Sequence, residues 1–551
     1  MARFRDELLL ASLIALAALI LLRGLGNDSL GFPDADRILM DSVFLRDLLV
    51  DLPLADPIGY TKDYFVQYPA LSIGYRPPFF PFVAALLQLL VGPEMWATRL
   101  ALFGFVLVGV ASSYFWIRRH YGPWPAWGAT ALWLTTPYLA QWGWYTMAEL
   151  TVLSMALLAA NLFDKYLAEG KPALLYWSVL AVALAAWTKQ TALFLLPWFA
   201  AMALAEGRFL AILRRREAWI AAFGLGVLLA PLVAMTLMLG DLNLEQSVGG
   251  TNRWTLANWT VRLKTILHHL TPPLLALSVV GAIWAGLKRD RHGLPFALLI
   301  VVVYGVFSYI SGKNDRYPIF WVPAFALFAV LPFHFLSQRL PAKATVPALA
   351  LGVGVLAAYQ GSLAFTKTPS YATGYKEAAA YVLDSSETPI VFVDAYNNGY
   401  FTYFMRALDQ GRSMVVLRGD KLLSSSAINM ATKVEVHAEG RQEIEEIFRS
   451  LGVSLIVVEE RNYTGLDVHD ELRRFLKTDS FELVQAIPIH SNRTVSVLAD
   501  FPPLGGQDLL VYRYKDAKTL TSGVVSLRLP VVGQTLSVDM ETMMERRRAH
   551  P

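Results

Sequence analysis

Long apolar blocks separated by short basic connections fill roughly the first two-thirds of the chain, at about 8–25, 96–117, 124–142, 147–164, 173–188, 190–206, 217–239, 271–287, 293–311, 317–336 and 344–365. Most approach the twenty or so residues a helix needs to cross a bilayer, so the pattern predicts about eleven spans. The stretch Pro78 to Val91 is shorter and predicts a re-entrant or interfacial helix. Beyond Lys367 the apolar runs shrink to strand length, as in Ile390-Val391-Phe392-Val393, Met414-Val415-Val416-Leu417 and Leu455-Ile456-Val457-Val458. Helical patterns at 375–384 and 442–451 alternate with them, and β-like runs follow at 482–489, 494–499 and 509–514. The predicted fold is therefore a polytopic α-helical membrane domain over 1–367, with a first outer loop at 26–95 and interfacial helices, followed by an α/β domain over 368–551. The tail Glu545-Arg546-Arg547-Arg548 reads as frayed.

Composition agrees with membrane residence: 55% of the 551 residues are hydrophobic and 17% charged. A net charge of +4, with no basic arm or sheet, gives no reason to expect a nucleic-acid partner. The absence of cysteine excludes disulfides, thiolate metal sites and a cysteine nucleophile. Leu8 to Leu22, after Arg3 and Arg5, has the look of a signal peptide, but no small-residue cleavage site follows it, so it is read as a retained span.

Charge sets the topology. If 78–91 does not cross and the N-terminus is cytoplasmic, Arg118-Arg119, Lys165, Lys171, Arg208, Arg214-Arg215-Arg216, Lys288-Arg289, Arg291, Arg339 and Lys343 all lie inside, as the positive-inside rule requires. The alternative puts all of them outside. The preferred topology describes a multi-pass protein of the plasma, or inner, membrane with an extracytoplasmic C-terminal domain. It places Asp34, Arg76, Arg99, Glu149, Lys189, Lys313 and Arg316 together at the outer face.

Each of these has an ordinary reading beside a chemical one. Asp34 and Asp36, in Pro33-Asp34-Ala35-Asp36-Arg37, precede a helical pattern and would suit a cap. Glu149 starts an apolar helix, where it could answer the helix dipole, although an acid at membrane depth is costly. Lys189 could snorkel to the interface. Lys313 and Arg316, in Ser311-Gly312-Lys313-Asn314-Asp315-Arg316-Tyr317, break the positive-inside pattern in a short turn. Arg99 could bond carbonyls or a ligand, and Arg76 sits on the rigid corner Tyr75-Arg76-Pro77-Pro78. Their recurrence at one depth favours chemistry on a lipid-linked anion. In the C-terminal part, Asp394, Tyr396, Asn398 and Tyr400 form no catalytic motif, and Asn397-Asn398-Gly399 predicts a turn.

The series resembles the GT-C class of polytopic glycosyltransferases, in particular family 39, which contains protein O-mannosyltransferases and aminoarabinose lipid A transferases. Asp34 stands where that family has the first acid of an Asp-Glu motif, with Ala35, Ile38 and Ser42 at the following positions. Tyr75-Arg76-Pro77-Pro78-Phe79 and Arg99-Leu100 match its next elements, Glu149 a second outer carboxylate, and Arg316-Tyr317 its later basic-plus-tyrosine element. The resemblance covers roughly 1–365 and departs at Ala35 and Ile38. It implies an inverting transferase taking sugar from a polyprenyl-phosphate donor to a lipid, glycan or protein acceptor at the outer face of the membrane, among membrane lipids. Asp34 would be general base, with Asp36 able to take that role. Arg76, Lys189, Lys313 and Arg316 would neutralise the phosphate, with a hydrogen bond from Tyr317. Glu149 would orient hydroxyls or share a divalent cation with Asp34; the family implies no required metal. A transporter or lipid flippase and a non-catalytic scaffold are the rival readings.

Overall fold

A computed structural model describes residues 2–32, 34–73, 76–239, 253–310, 314–339, 341–426, 434–493, 504–517, 523–529 and 534–543. Every apolar block of the sequence folds as helix, but not as eleven equal spans. Among the described residues five helices are long and apolar enough to cross a membrane: Met95–Tyr121, Ala148–Glu169, Arg216–Met238, Tyr317–Ser337 and Val346–Thr366. A sixth span is available if Leu256–His269 and Pro272–Leu287, bent by 116°, are taken together. Pro172–Thr188, Gln190–Ala205 and Leu294–Tyr309 are shorter; at about 1.5 Å per residue each falls somewhat below a ~30 Å hydrocarbon layer. The block at 124–142 is divided into Pro123–Thr135 and Pro137–Trp144. Proline is the cause, because it lacks the N–H that would continue the first helix and is well suited to begin the second.

The first helix, Ala2–Leu21, is held at its start by Asp6, which pairs with Arg118 at 2.5 Å and accepts from the Tyr114 hydroxyl. Arg119 and His120 pair with Asp164 at the far end of Ala148–Glu169. Glu149 begins that same helix, so these basic groups and the outer candidates occupy opposite ends of it.

The predicted outer loop holds three helices, Ala35–Asp51, Pro57–Gln67 and Phe79–Val91. The last buries Phe80, Ala84, Ala85 and Gln88 and exposes Leu86, Leu89 and Leu90. Its 13 residues extend only about 20 Å, as an interfacial helix should.

The remainder is α/β. Its strands are β1 (Ile390–Asp394), β2 (Val415–Arg418), β3 (Ser424–Ser425), β4 (Glu435–Val436), β5 (Leu455–Glu459), β6 (Phe481–Ile489), β7 (Gln507–Tyr514), β8 (Val524–Leu529) and β9 (Gln534–Asp539). The main sheet runs β2-β1-β5-β7-β6, with β2, β1 and β5 parallel and β7 and β6 antiparallel; β3 pairs with β4, and β8 with β9. The parallel strands read as continuous apolar runs because both faces are covered. Val391, Val393, Val416 and Val457 join Tyr375, Ala378 and Tyr400 in one core, while Ile390, Phe392, Ile456 and Val458 join Ile444, Phe448 and Leu472 in another. Asn397-Asn398-Gly399 differs from the predicted turn: Asn397 is the residue before the helix Asn398–Leu408, which begins at once. The 494–499 run and the 545–548 tail lie outside the described residues.

At the end of β1, Asp394 contacts His469 Nδ1 at 2.8 Å, and His469 Nε2 contacts the Ser424 hydroxyl at 2.8 Å. That is the connectivity of a hydrolase triad. Ser424 and His469 are fully sealed from solvent and Arg473 takes the second Asp394 oxygen, so the set ties strand ends to the Asp467–Phe475 helix.

This sheet region is locked onto the outer loop. Asp47 accepts from Arg46 and from the Tyr64 hydroxyl, and pairs with Arg406 at 2.5 Å. Arg412 forks onto Asp51. The Gln67 amide donates to the carbonyls of Arg412 and Met414, both at 2.7 Å, and Arg418 donates to that of Pro69 at 2.5 Å.

Candidate active site

Asp34 immediately precedes the Ala35–Asp51 helix but makes no side-chain capping bond. Its carboxylate is instead shared between two guanidiniums, Arg76 at 2.9 Å and Arg316 at 3.1 Å. Arg316 continues to Glu149 through Nε, at 3.4 Å, and Lys189 meets the same Glu149 oxygen at 2.5 Å. Five charged residues from five separated parts of the chain thus form one line, Arg76–Asp34–Arg316–Glu149–Lys189. Burial raises the Asp34 pKa, but Arg76 and Arg316 outweigh it and hold the carboxyl well below the usual carboxylate range.

Local structure explains each placement. The Ser72 backbone N–H donates to Asp41 at 2.7 Å, the Ser72 hydroxyl reaches its other oxygen, and the Ile73 N–H adds a bond at 3.2 Å. Arg76 N–H closes back on the Ser72 carbonyl, so Asp41 pins the corner carrying Arg76 to the Asp34 helix. Burial pushes the Asp41 carboxyl up to about 6 in spite of those bonds.

Glu149 is fully buried in the first turn of its helix, and its Oε2 has no hydrogen-bond partner among the described residues. Thr146, three residues earlier, has φ +54°, an unusual conformation for a β-branched residue that costs on the order of 1–3 kcal/mol. Lys189 closes the Pro172–Thr188 helix in extended conformation, which turns its ammonium to Glu149 rather than outward. Arg316 lies over the rings of Phe32 and Trp142, 5.0 and 5.9 Å from their centroids, and Lys189 lies 5.6 Å from that of Tyr317.

Other candidates fall elsewhere. Tyr75 and Lys313 lie outside the described residues. Arg99 directs its guanidinium to the carbonyls of Gly24, Leu25, Asn27 and Ser29, where it organises the exit from the first helix. Asp36 is buried, with its carboxylate bonded to the Arg37 N–H at 2.7 Å and set against Gly399, where a Cβ would collide with it. Burial, with Asp34 nearby, lifts its pKa to about 6 even though Arg37 opposes it.

Sequence reading missed Asp41 and Arg262. The latter is 1% exposed, and its Cζ lies 5.9 Å from the Tyr317 ring centroid. Its nearest sequence signal was the polar interruption Asn258-Trp259-Thr260 before the Thr271-Pro272-Pro273 break.

Among the described residues no group of three or more His, Asp and Glu side chains is placed to hold a metal ion. Between Asp34 and Glu149, where a shared cation would sit, stands the guanidinium of Arg316.

Comparison with known proteins adds identity of fold. Residues 75–235 match the family model described as dolichyl-phosphate-mannose-protein mannosyltransferase. No curated protein matches the sequence. The structure of ArnT from Cupriavidus metallidurans bound to undecaprenyl phosphate superposes with a TM-score of 0.58 at 14% identity, over 94% of this chain and 100% of ArnT. The archaeal oligosaccharyltransferase AglB from Archaeoglobus fulgidus, in complex with an inhibitory peptide and a dolichol-phosphate, gives 0.51 at 11% identity over 83% of this chain and 69% of AglB. The arabinofuranosyltransferase AftD from Mycobacteria gives 0.54 at 15%, over 94% of this chain but only 40% of AftD. This chain is a multi-pass membrane protein with the GT-C fold of these glycosyltransferases, and it carries the mannosyltransferase family match over 75–235.

Proposed function

We propose that the protein is an inverting glycosyltransferase that moves a sugar from a polyprenyl-phosphate-linked donor to a lipid, glycan or protein acceptor at the outer membrane face. The observation that carries this reading is the Arg76–Asp34–Arg316–Glu149–Lys189 line, acids and bases alternating where the outer loop meets the spans. The ArnT structure holds undecaprenyl phosphate and the AglB structure a dolichol-phosphate, which supports the donor class.

In this reading an acceptor hydroxyl attacks the anomeric carbon, its proton passes to Asp34, and the anomeric C–O bond breaks toward the phosphate, which leaves with the electron pair. Arg76, Arg316, Lys189 and Lys313, with Tyr317, receive that charge. A carboxylate clamped by two guanidiniums is a weak base. A phosphate competing for Arg76 and Arg316 would loosen the clamp and raise the basicity of Asp34 as donor binds. Glu149 holds Lys189 and Arg316 in place and orients hydroxyls. Asp36 and Arg99 serve as supports.

The charge on Arg316 already joins Asp34 to Glu149, which supports a reaction without an obligatory divalent cation. We place the N-terminus in the cytoplasm of a plasma (inner) membrane protein and the α/β domain, 368–551, outside, beyond a catalytic domain of 1–367. Clustering of basic residues at the opposite end of the helices supports this. The test is transfer from a polyprenyl-phosphate sugar by purified protein. Full turnover by Asp34→Asn would sink the base assignment, and transfer by neither protein would sink the reaction class. Transport would call for charges distributed through the membrane, whereas here they gather at the two ends of the helices.

A further inference from the structure

The cations assigned from the sequence and described in the structure are already compensated: Arg76 and Arg316 rest on Asp34, and Lys189 on Glu149. Arg262 differs. The residue is 1% exposed, and among the described residues it forms no ion pair, although the charge of Asp315 acts on it from farther off. Nη1 donates to the Asn314 carbonyl at 2.9 Å, but Nε and Nη2 have no hydrogen-bond partner among the described residues. A buried guanidinium with unused donors is costly unless an anion completes it.

Arg262 is also built into the cluster. Asn314, whose carbonyl it holds, uses its side-chain oxygen to accept from Arg316 Nε at 2.9 Å. The Tyr317 ring has Arg262 5.9 Å and Lys189 5.6 Å from its centroid. The short helix Leu256–Lys264 turns Arg262 inward while Leu256 and Leu263, with Leu267 just beyond, are exposed. That is the amphipathic arrangement suited to an anion arriving on an apolar chain.

We propose that Arg262 receives the phosphate of a lipid-linked isoprenoid anion, with the chain passing over Leu256, Leu263 and Leu267. The proposal rests on the transferase reading and adds the residue whose charge is still available to the leaving phosphate. The planar fork of arginine suits two phosphate oxygens, and Nε and Nη2 are the two nitrogens left to supply it.

Binding of farnesyl phosphate, farnesol and inorganic phosphate to the purified full-length protein, followed by intrinsic tryptophan fluorescence, tests this. Wild type should prefer farnesyl phosphate to both other probes. Arg262→Gln should weaken farnesyl phosphate by about 30-fold or more, leaving farnesol binding unchanged, and Lys376→Gln, a distant surface control, should bind as wild type. If Arg262→Gln does not fold, Arg262→Lys decides, since it keeps the charge without the fork and should bind several-fold more weakly than wild type. Equal affinity of wild type and the folded Arg262 variant overturns this proposal and leaves the transferase reading standing. Equal affinity of wild type for farnesyl phosphate and farnesol overturns both. Inorganic phosphate binding as tightly as farnesyl phosphate overturns the lipid assignment.

Discussion

Two groups of charge lie at opposite ends of the Ala35–Asp51 helix, and they are finished to different degrees. In the first, Asp47 is fully satisfied: Arg46 takes one oxygen, and Arg406 with Tyr64 takes the other. Arg406 spends all three nitrogens, two on Asp47 and one on the Asp409 carbonyl. In the second, around Asp34, among the described residues cations outnumber carboxylates, Glu149 keeps an unbonded oxygen, and Arg262 keeps two unbonded nitrogens. Both groups are rich in arginine and aspartate, so charge content alone does not separate a lock from a site. Completeness does. A closed network holds two parts of the chain together, whereas an open one has capacity for a ligand.

This contrast can be broken by substitution. Asp34→Asn should lower sugar transfer by about 10²- to 10⁴-fold, the usual weight of a general base; a folded variant with full turnover would remove Asp34 from the chemistry. At the other group, Arg406→Leu removes the guanidinium from one oxygen of the buried Asp47, leaving Arg46 and the Tyr64 hydroxyl, and should cost up to about 3–5 kcal/mol of stability. Denaturant unfolding measures it, and a loss below 1 kcal/mol, within the ~0–1 kcal/mol of exposed pairs, would show the lock to be ornamental.

The end of the central strand β5 offers a sharper, pH-dependent comparison. Burial lifts the Glu459 carboxyl from 4.5 to about 7, although Tyr375 donates to it at 2.6 Å. An acid whose pKa is raised on folding holds its proton more tightly in the native state, so stability falls as pH rises from about 4.5 to 7. Glu459→Gln should therefore be more stable than wild type by up to about 3 kcal/mol at about pH 8, with the gap closing below about pH 4.5. Thermal midpoints across pH check it, and a gap independent of pH would refute the protonation account. The smallest effect is expected at the surface pair Lys376–Asp28. Lys376→Ala should change stability by less than about 1 kcal/mol, because solvent and salt screen exposed pairs; a larger loss would make that contact part of the lock.

Periodicity made the architecture legible where local pattern decides it. The strands at 390–394, 415–418 and 455–459 lie within a residue or two of their predicted positions, as do the helices at 375–385 and 441–450. Alternation of apolar runs with amphipathic stretches carries that information without tertiary context. The helix Pro57–Gln67, the β8–β9 hairpin and the 116° bend before Pro272 were not legible, since each is settled by what packs against it.

The GT-C glycosyltransferase class could be read from the order of its acids and bases, and it agrees with the family match and with the fold. Which charges meet was harder to see. Asp34 and Arg76 lie near each other in sequence, but nothing local marks Asp41 as the anchor of that corner. Arg99 and Arg262 both sit in helical patterns as lone arginines. Among the described residues, packing gives the first to four backbone carbonyls and the second to one.

The lock between Asp47 and Arg406 also sets a timetable. The two residues are 359 positions apart, and a ribosome adding about 5–20 residues per second needs roughly 20–70 s to pass from one to the other. Throughout that interval the helix that carries Asp34 at its start has emerged, but its binding surface for the late sheet is open. The candidate site is thus among the first parts of the chain to be made and among the last to be set. A ribosome stalled before Arg406 leaves a membrane-inserted chain whose acid-bearing helix is still undocked.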